Sequence, residues 1–274
     1  MPVALIIAGS GPTDRDGNNP VMKNNSLKIL AAELAEEGIA SLRYDKRGIA
    51  ASKAAVTSEK DLRFDDYVSD AAGWIQLLKK DKRFSEVIVI GHSEGSLIGM
   101  LAGGSADKFI SVAGFGQSAD LVLKEQLGSQ PKMVQDLSFP IIDSLKRGKT
   151  VDSVPPVIKS LFRPGVQPYM ISWFRYDPCT EIGKLSVPVL IIQGTNDIQV
   201  GVENARQLAE TNPEAELLLI NNMNHIFRIT EGDRMANLAT YSNISLPVSE
   251  ELVTAVTAFI HRDFPGNKSR NKRR

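Results

Sequence analysis

The chain has 274 residues, 42% of them hydrophobic and 23% charged, and its 32 Lys and Arg balance its 32 Asp and Glu. That mix describes a globular chain of one large or two small α/β domains, with a core that needs no staples. The zero net charge excludes a global field for nucleic acid or lipid. A single cysteine, Cys179, excludes an intrachain disulfide and a cysteine metal cluster, and no apolar run approaches the roughly 18 residues of a membrane span.

The opening MPVALIIAGS lacks the basic start and the long apolar run of a signal peptide. The expected location is therefore cytoplasmic. The chain begins almost directly on a strand, which leaves room for a leader or an earlier strand pair upstream. VALIIAG, from Val3 to Gly9, is the first strand, ending in Gly-Ser-Gly-Pro. Residues 26–37 carry Leu27, Leu30, Ala31 and Leu34 at helical spacing, and Gly38 follows where a helix end wants positive φ. IASLRYD (Ile39 to Asp45) is a second strand. Residues 65–80 form an amphipathic helix with Val68, Ala71, Ala72, Ile75 and Leu78 on one face.

VIVIG (Val87 to Gly91) is the third strand, followed by a small-residue helix from Glu94. KFISVAGFG (Lys108 to Gly116) is the fourth strand, VPVLIIQG (Val187 to Gly194) the fifth, with a helix from Val202, and AELLLIN (Ala215 to Asn221) the sixth, before a closing helix from Ser249. Six apolar strands alternating with helices imply an α/β fold, a mostly parallel sheet covered on both faces. Residues 117–184 break the rhythm with helix-like pieces interrupted by Pro131, Pro140, Pro155, Pro156, Pro164 and Pro168. Too long for a plain loop, this stretch reads as an inserted helical cap. The core is then residues 1–116 and 185–266. The basic tail, residues 267–274, reads as a frayed terminus, with a nucleic-acid arm as the alternative.

Gly91-His92-Ser93-Glu94-Gly95 fits G-x-S-x-G, a pattern that chance supplies roughly 0.1 times in such a chain. Its context adds weight, because it joins a buried-type strand to a helix, as a nucleophile elbow requires. The flanking glycines suit a turn too tight for side chains, and the serine is expected in a strained conformation. The other use of the same residues is a glycine-rich turn with a capping serine.

A serine hydroxyl needs a base, and the chain has three histidines. His92 lies inside the elbow and His261 in the closing helix. His225, in the loop after the sixth strand, is on the edge that would hold Ser93. The acid that fixes the base is read as Asp197, three residues beyond the fifth strand, over Asp177 and Asp233. The oxyanion donors are expected to be the backbone N–H groups of Glu94 and of Ser10, with Gly11 as the alternative.

Taken together, these residues resemble the α/β-hydrolase superfamily over nearly the whole chain. GSGPTDRDGN (Gly9 to Asn18), RYDKRG (Arg43 to Gly48) and GHSEGS (Gly91 to Ser96) are similar to bacterial EstD-type carboxylesterases and, behind them, to serine aminopeptidase-like hydrolases. The resemblance implies an α/β-hydrolase fold, hydrolysis of short-chain esters through an acyl-serine, no cofactor or metal, and Ser93, Asp197 and His225 as nucleophile, acid and base. It departs from the family in two places: the usual His-Gly before the oxyanion loop is Ala8-Gly9, and the first two strands are missing.

Arg15 or Arg47 is expected to pair with a carboxylate across neighbouring strand ends and hold the oxyanion loop, exposed charges of little consequence being the alternative. Among Tyr169, Met170, Trp173, Phe174 and Tyr176 of the insertion, Tyr169, Trp173 and Phe174 are candidates for a substrate pocket, though packing the cap onto the body is an equal use. Cys179 is read as inert filler. The expected partner is a small-molecule ester, with no nucleic acid and no membrane span; the sequence leaves oligomeric state open. An acyltransferase, thioesterase or aminopeptidase using the same three residues, and a hydrolase-fold ligand-binding protein, remain as alternatives.

Overall fold

The computed structural model describes residues 1–264. The basic tail read in the sequence lies outside them. The strands are β1 (Val3–Ile7), β2 (Ala40–Arg43), β3 (Val87–His92), β4 (Lys108–Val112), β5 (Val189–Gly194) and β6 (Glu216–Ile220). The helices are α1 (Ser26–Glu36), α2 (Phe64–Lys80), α3 (Glu94–Ala102), α4 (Ala119–Gly128), α5 (Lys132–Lys146), α6 (Lys159–Phe162), α7 (Gln167–Trp173), α8 (Pro178–Ile182), α9 (Val202–Thr211), α10 (Arg234–Thr240) and α11 (Glu250–His261).

The strands form one parallel sheet in the order β2-β1-β3-β4-β5-β6. Burial explains why the central strands read as mostly apolar runs. Every residue of β1, β3, β4 and β5 is buried, while the edge strands β2 and β6 are partly exposed. Alternation survives inside the runs. Val3, Leu5 and Ile7 pack into the layer of α2, α3 and α9, while Ala4, Ile6 and Ala8 pack into the layer of α1 and α11.

In α1, Leu27, Leu30, Ala31 and Leu34 are buried on one face, and Gly38 follows at φ +76°. α2 turns its buried face along Phe64, Tyr67, Ala71, Ile75 and Leu78, so Val68 and Ala72 lie half-buried at the margin. β4 is shorter than its apolar run suggests. Ala113 adopts φ +52° and turns the chain out of the sheet before Gly114.

Between β4 and β5 the chain forms α4 to α8 and no strand. Pro140 does not break this region as its residue type suggests, because α5 runs through it. Burial of Ser138, Ile141, Ile142 and Leu145 on one face holds the helix on both sides of the proline, against the roughly 3 kcal/mol that an interior proline costs. α10 gave no apolar periodicity to read, since only Asn237 and Thr240 of its residues are buried.

Candidate active site

Ser93 joins β3 directly to α3 at φ 55° and ψ −121°, a left-handed conformation that costs a non-glycine residue about 1–3 kcal/mol. The glycines around it make the turn possible. A Cβ on Gly91 would lie 2.4 Å from the carbonyl oxygen of Gly95, and one on Gly95 would lie 2.3 Å from that of Ile7. The second contact packs the start of α3 onto the end of β1. The loop that follows β1 therefore lies against the elbow, and a Cβ on Gly9 would sit 3.2 Å from that of Ser93.

Asp197 and His225 come from the loops after β5 and β6, at the same edge of the sheet. The structure brings them together, with His225 Nδ1 2.8 Å from Asp197 Oδ2. The carboxylate is held on all sides. Oδ2 also accepts from Gln193 Nε2 at 3.0 Å, and Oδ1 accepts the backbone N–H groups of Gln199 and Val200 at 2.8 and 3.0 Å. Burial opposes the charge, but His225 and these N–H groups together hold the carboxyl below the ordinary carboxylate range. A carboxylate only accepts hydrogen bonds, so Nδ1 of His225 carries a proton in this contact, which leaves Nε2 as the atom turned away from Asp197.

The other candidates fall elsewhere. Asp177 caps α8 by accepting from Thr180 N, and Asp233 caps α10 by accepting from Met235 N and Ala236 N. His261 is exposed, with Nε2 3.1 Å from the Glu37 carbonyl oxygen. His92 is buried beside His225.

The backbone of Glu94 opens α3, where the first N–H groups of a helix have no intrahelical acceptor and favour negative charge. Ser10, Gly11 and Pro12 share one cavity of about 690 Å³ with Ser93 and Glu94. The loop is tied down by Arg15, whose backbone N–H and guanidinium reach Asp45 at 2.8 and 2.7 Å. Arg47 instead pairs with Asp70 of α2. Leu123, Tyr169, Met170 and Trp173 line the cavity from the insertion, and Phe115 lines it beside Trp173, ring centroids 6.3 Å apart. Phe174 is not part of that lining; it is buried behind Trp173, with ring centroids 6.3 Å apart. The Cys179 Sγ donates to the Gly116 carbonyl at 2.9 Å, and burial raises its thiol pKa. A second hollow of about 840 Å³, lined by Leu42, Tyr44, Asp70 and Trp74, lies at the β2 edge away from Ser93. Among the described residues no cluster of His, Cys, Asp or Glu could hold a metal, and no helix is long and apolar enough to cross a membrane.

Residue-type reasoning missed one group. Lys46, after β2, reads as a surface charge, yet its side chain is 1% exposed and its Nζ donates to Glu94 Oε2 at 2.7 Å and to the Gly9 carbonyl. Tyr169 completes the group by donating its hydroxyl to Glu94 Oε1. Burial first, and Glu94 second, push that phenol well above the ordinary tyrosine value, so it stays a donor. The only sequence signal was the pairing of a lysine beyond one strand with a glutamate just after the elbow serine.

This sheet order, with a strained serine between strand and helix and an aspartate–histidine pair at the same edge, defines the α/β-hydrolase fold. Residues 24–151 match the family described as serine aminopeptidase, S33. The chain resembles Esterase EstD of Thermotoga maritima, at 28% identity over 247 residues, which is 85% of this chain and 56% of that protein. It thus spans little more than half the length of that relative. Among solved structures, Est1E from Butyrivibrio proteoclasticus with ferulic acid bound superposes with a TM-score of 0.61 at 17% identity, covering 94% of this chain and 89% of that one. A bromoperoxidase from Bacillus anthracis superposes with a TM-score of 0.57 at 17% identity, covering 95% and 92%.

Proposed function

We propose that this chain is a serine hydrolase that cleaves short-chain carboxylic esters through an acyl-serine intermediate, with Ser93 as nucleophile, His225 as base and Asp197 as its acid partner. The observation that carries this reading is the bond between His225 Nδ1 and a fully satisfied Asp197 carboxylate. It leaves Nε2 as the basic atom at the sheet edge that also presents Ser93.

In this mechanism Ser93 Oγ attacks the ester carbonyl carbon while His225 Nε2 takes its proton. The carbonyl oxygen becomes an oxyanion held by the Ser10 and Glu94 N–H groups. Collapse breaks the bond to the alkoxy oxygen, which leaves as the alcohol with the proton from His225. Water then gives its proton to His225 and adds to the acyl-serine, and the second collapse releases the acid and restores Ser93. The helical insertion, residues 117–184, acts as the cap, and Tyr169, Met170 and Trp173 form the acyl wall.

An aminopeptidase reading has less support. A free amino terminus calls for an unpaired carboxylate, and the two carboxylates that line the cavity, Glu59 and Glu94, are paired with Arg163 and Lys46. The test is hydrolysis of a panel of p-nitrophenyl esters, thioesters and aminoacyl amides by the wild type and by Ser93→Ala. Short esters turned over by the wild type alone support the proposal; preferred turnover of aminoacyl amides would replace the esterase reading with a peptidase.

A further inference from the structure

We propose that Lys46 is the positioning residue of the oxyanion site, fixing the Gly9–Ser10 peptide plane and the first residue of α3 with one ammonium group. The inference rests on the reading of Ser10 and Glu94 as oxyanion donors.

The geometry of the peptide unit carries the argument. In a trans peptide the carbonyl and the following N–H point in opposite directions. Lys46 Nζ holds the Gly9 carbonyl, so it directs the Ser10 N–H to the other side of that plane. The same hydrogen bond draws electron density toward the carbonyl and makes the N–H a stronger donor. The second donor is tied to the same atom, because Lys46 Nζ also binds the Glu94 carboxylate, whose other oxygen accepts from Tyr169. Both proposed donors are thus indexed to one cation.

Charge supplies an independent reason. Lys46 and Glu94 both border the cavity that holds Ser93, and each side chain is 1% exposed. An unpaired Glu94 carboxylate there would oppose an oxyanion forming next to it. The ammonium cancels that charge, and the Tyr67 ring, with its centroid 5.1 Å from Nζ, adds a second favourable contact. A buried ion pair contributes little to stability compared with apolar packing of the same volume, so the pair is better explained by what it does to the donors.

The test uses the full chain and four variants: Lys46→Met, Lys46→Arg, the double variant Lys46→Met/Glu94→Gln, and Tyr169→Phe. The double variant leaves no lone buried charge, so it keeps the question answerable if Lys46→Met fails to fold. kcat and KM are measured with p-nitrophenyl butyrate, the inhibition constant with an alkyl trifluoromethyl ketone that forms a tetrahedral adduct, and Tm by thermal melting. The double variant is expected to lose about 30- to 300-fold in kcat with KM within about threefold, a loss just below that of deleting an oxyanion donor. The trifluoromethyl ketone should weaken by the same factor as kcat/KM. Lys46→Arg should recover about tenfold of that loss, and Tyr169→Phe should lose less than about tenfold.

A folded double variant with kcat within about threefold of wild type overturns the proposal, and so does a loss that follows Tm and leaves inhibitor affinity untouched. Failure of the underlying reading looks different: a wild type that fluorophosphonates do not label, or a Ser93→Ala variant that keeps its turnover, rejects the serine mechanism whatever Lys46 does.

Discussion

His92 donates its Nε2–H to the backbone carbonyl of His225 at 2.9 Å, with the two rings 4.7 Å apart. Burial, with His225 beside it, pushes the His92 imidazole down to about 3. His92 is therefore neutral wherever the protein is folded and working, and Nε2–H is a fixed donor that places the His225 loop. Phe227 also packs against the His92 ring, edge-on, its centroid 4.9 Å away.

The first prediction follows from that contact. His92→Phe keeps the ring and removes the donor, leaving the His225 carbonyl unpaired in a buried site. Stability should fall by about 1–3 kcal/mol, and ester turnover by about tenfold as His225, the proposed base, loses its anchor. Because His92 does not change charge near neutrality, the shape of the pH–rate profile between about pH 5 and 8 should match that of wild type. An inflection in that range that vanishes in His92→Phe would contradict the assignment.

Arg15 and Asp45 give a prediction for the loop. The hydrogen bond from Arg15 comes first among the causes that hold the Asp45 carboxyl below the ordinary carboxylate range, against the opposing effect of burial. A depressed carboxylate contributes its stability above the unfolded value of about 3.9 and loses it as pH falls through the lower folded value. Asp45→Asn should therefore cost about 1–2 kcal/mol near neutrality and much less in acid. Urea midpoints for both proteins at about pH 7 and pH 2.5 check this; an equal difference at both pH values would remove the charge from the explanation. Arg15 is 44% exposed, which keeps the expected cost at the lower end.

The elbow glycines set a steric prediction. A methyl group at Gly95 would meet the Ile7 carbonyl at 2.3 Å and one at Gly91 the Gly95 carbonyl at 2.4 Å, both backbone atoms. Each Gly→Ala change should cost about 3 kcal/mol or more, since the strand and helix must part to admit it. Gly104→Ala, which meets nothing within 4 Å, should change stability by less than about 1 kcal/mol. Denaturant unfolding of the three variants separates local crowding from a general intolerance of substitution.

The cavity wall makes a prediction about chain length. Trp173 is 6% exposed and stacks on Phe64 of α2, ring centroids 6.0 Å apart at 10°. If the cavity holds the acyl chain as proposed, Trp173→Ala should open it and raise kcat/KM for octanoate relative to butyrate esters by about tenfold or more, at about 0.8 kcal/mol per newly buried methylene. An unchanged ratio would mean that the aromatic cluster only packs the insertion onto the body.

Much of the architecture was legible because it depends on short-range pattern. Val3–Ile7, Val87–His92 and Val189–Gly194 are buried throughout because both of their faces are covered, and the apolar runs that open them announce themselves. Ser93, Asp197 and His225 could be placed just after β3, β5 and β6 from the sequence, and parallel topology puts the ends of those strands at one sheet edge, where His225 meets Asp197. What stayed hidden depends on distance in the chain. Nothing local to Lys46 says that Gly9 and Glu94 will surround it, 37 and 48 residues away. Pro140 argued for a break that the buried face of α5 overrode, and α10 is too short and polar to carry a period.

The central claim is that Ser93 carries the acyl group. The direct measurement is intact-mass and peptide-mapped labelling with a fluorophosphonate, run alongside p-nitrophenyl butyrate hydrolysis by wild type and Ser93→Ala. The account predicts one adduct on the peptide containing Ser93, none in the variant, and a fall in kcat of about 10⁴-fold or more with the melting temperature preserved. A Ser93→Ala protein that still forms the adduct or keeps most of its turnover would contradict it.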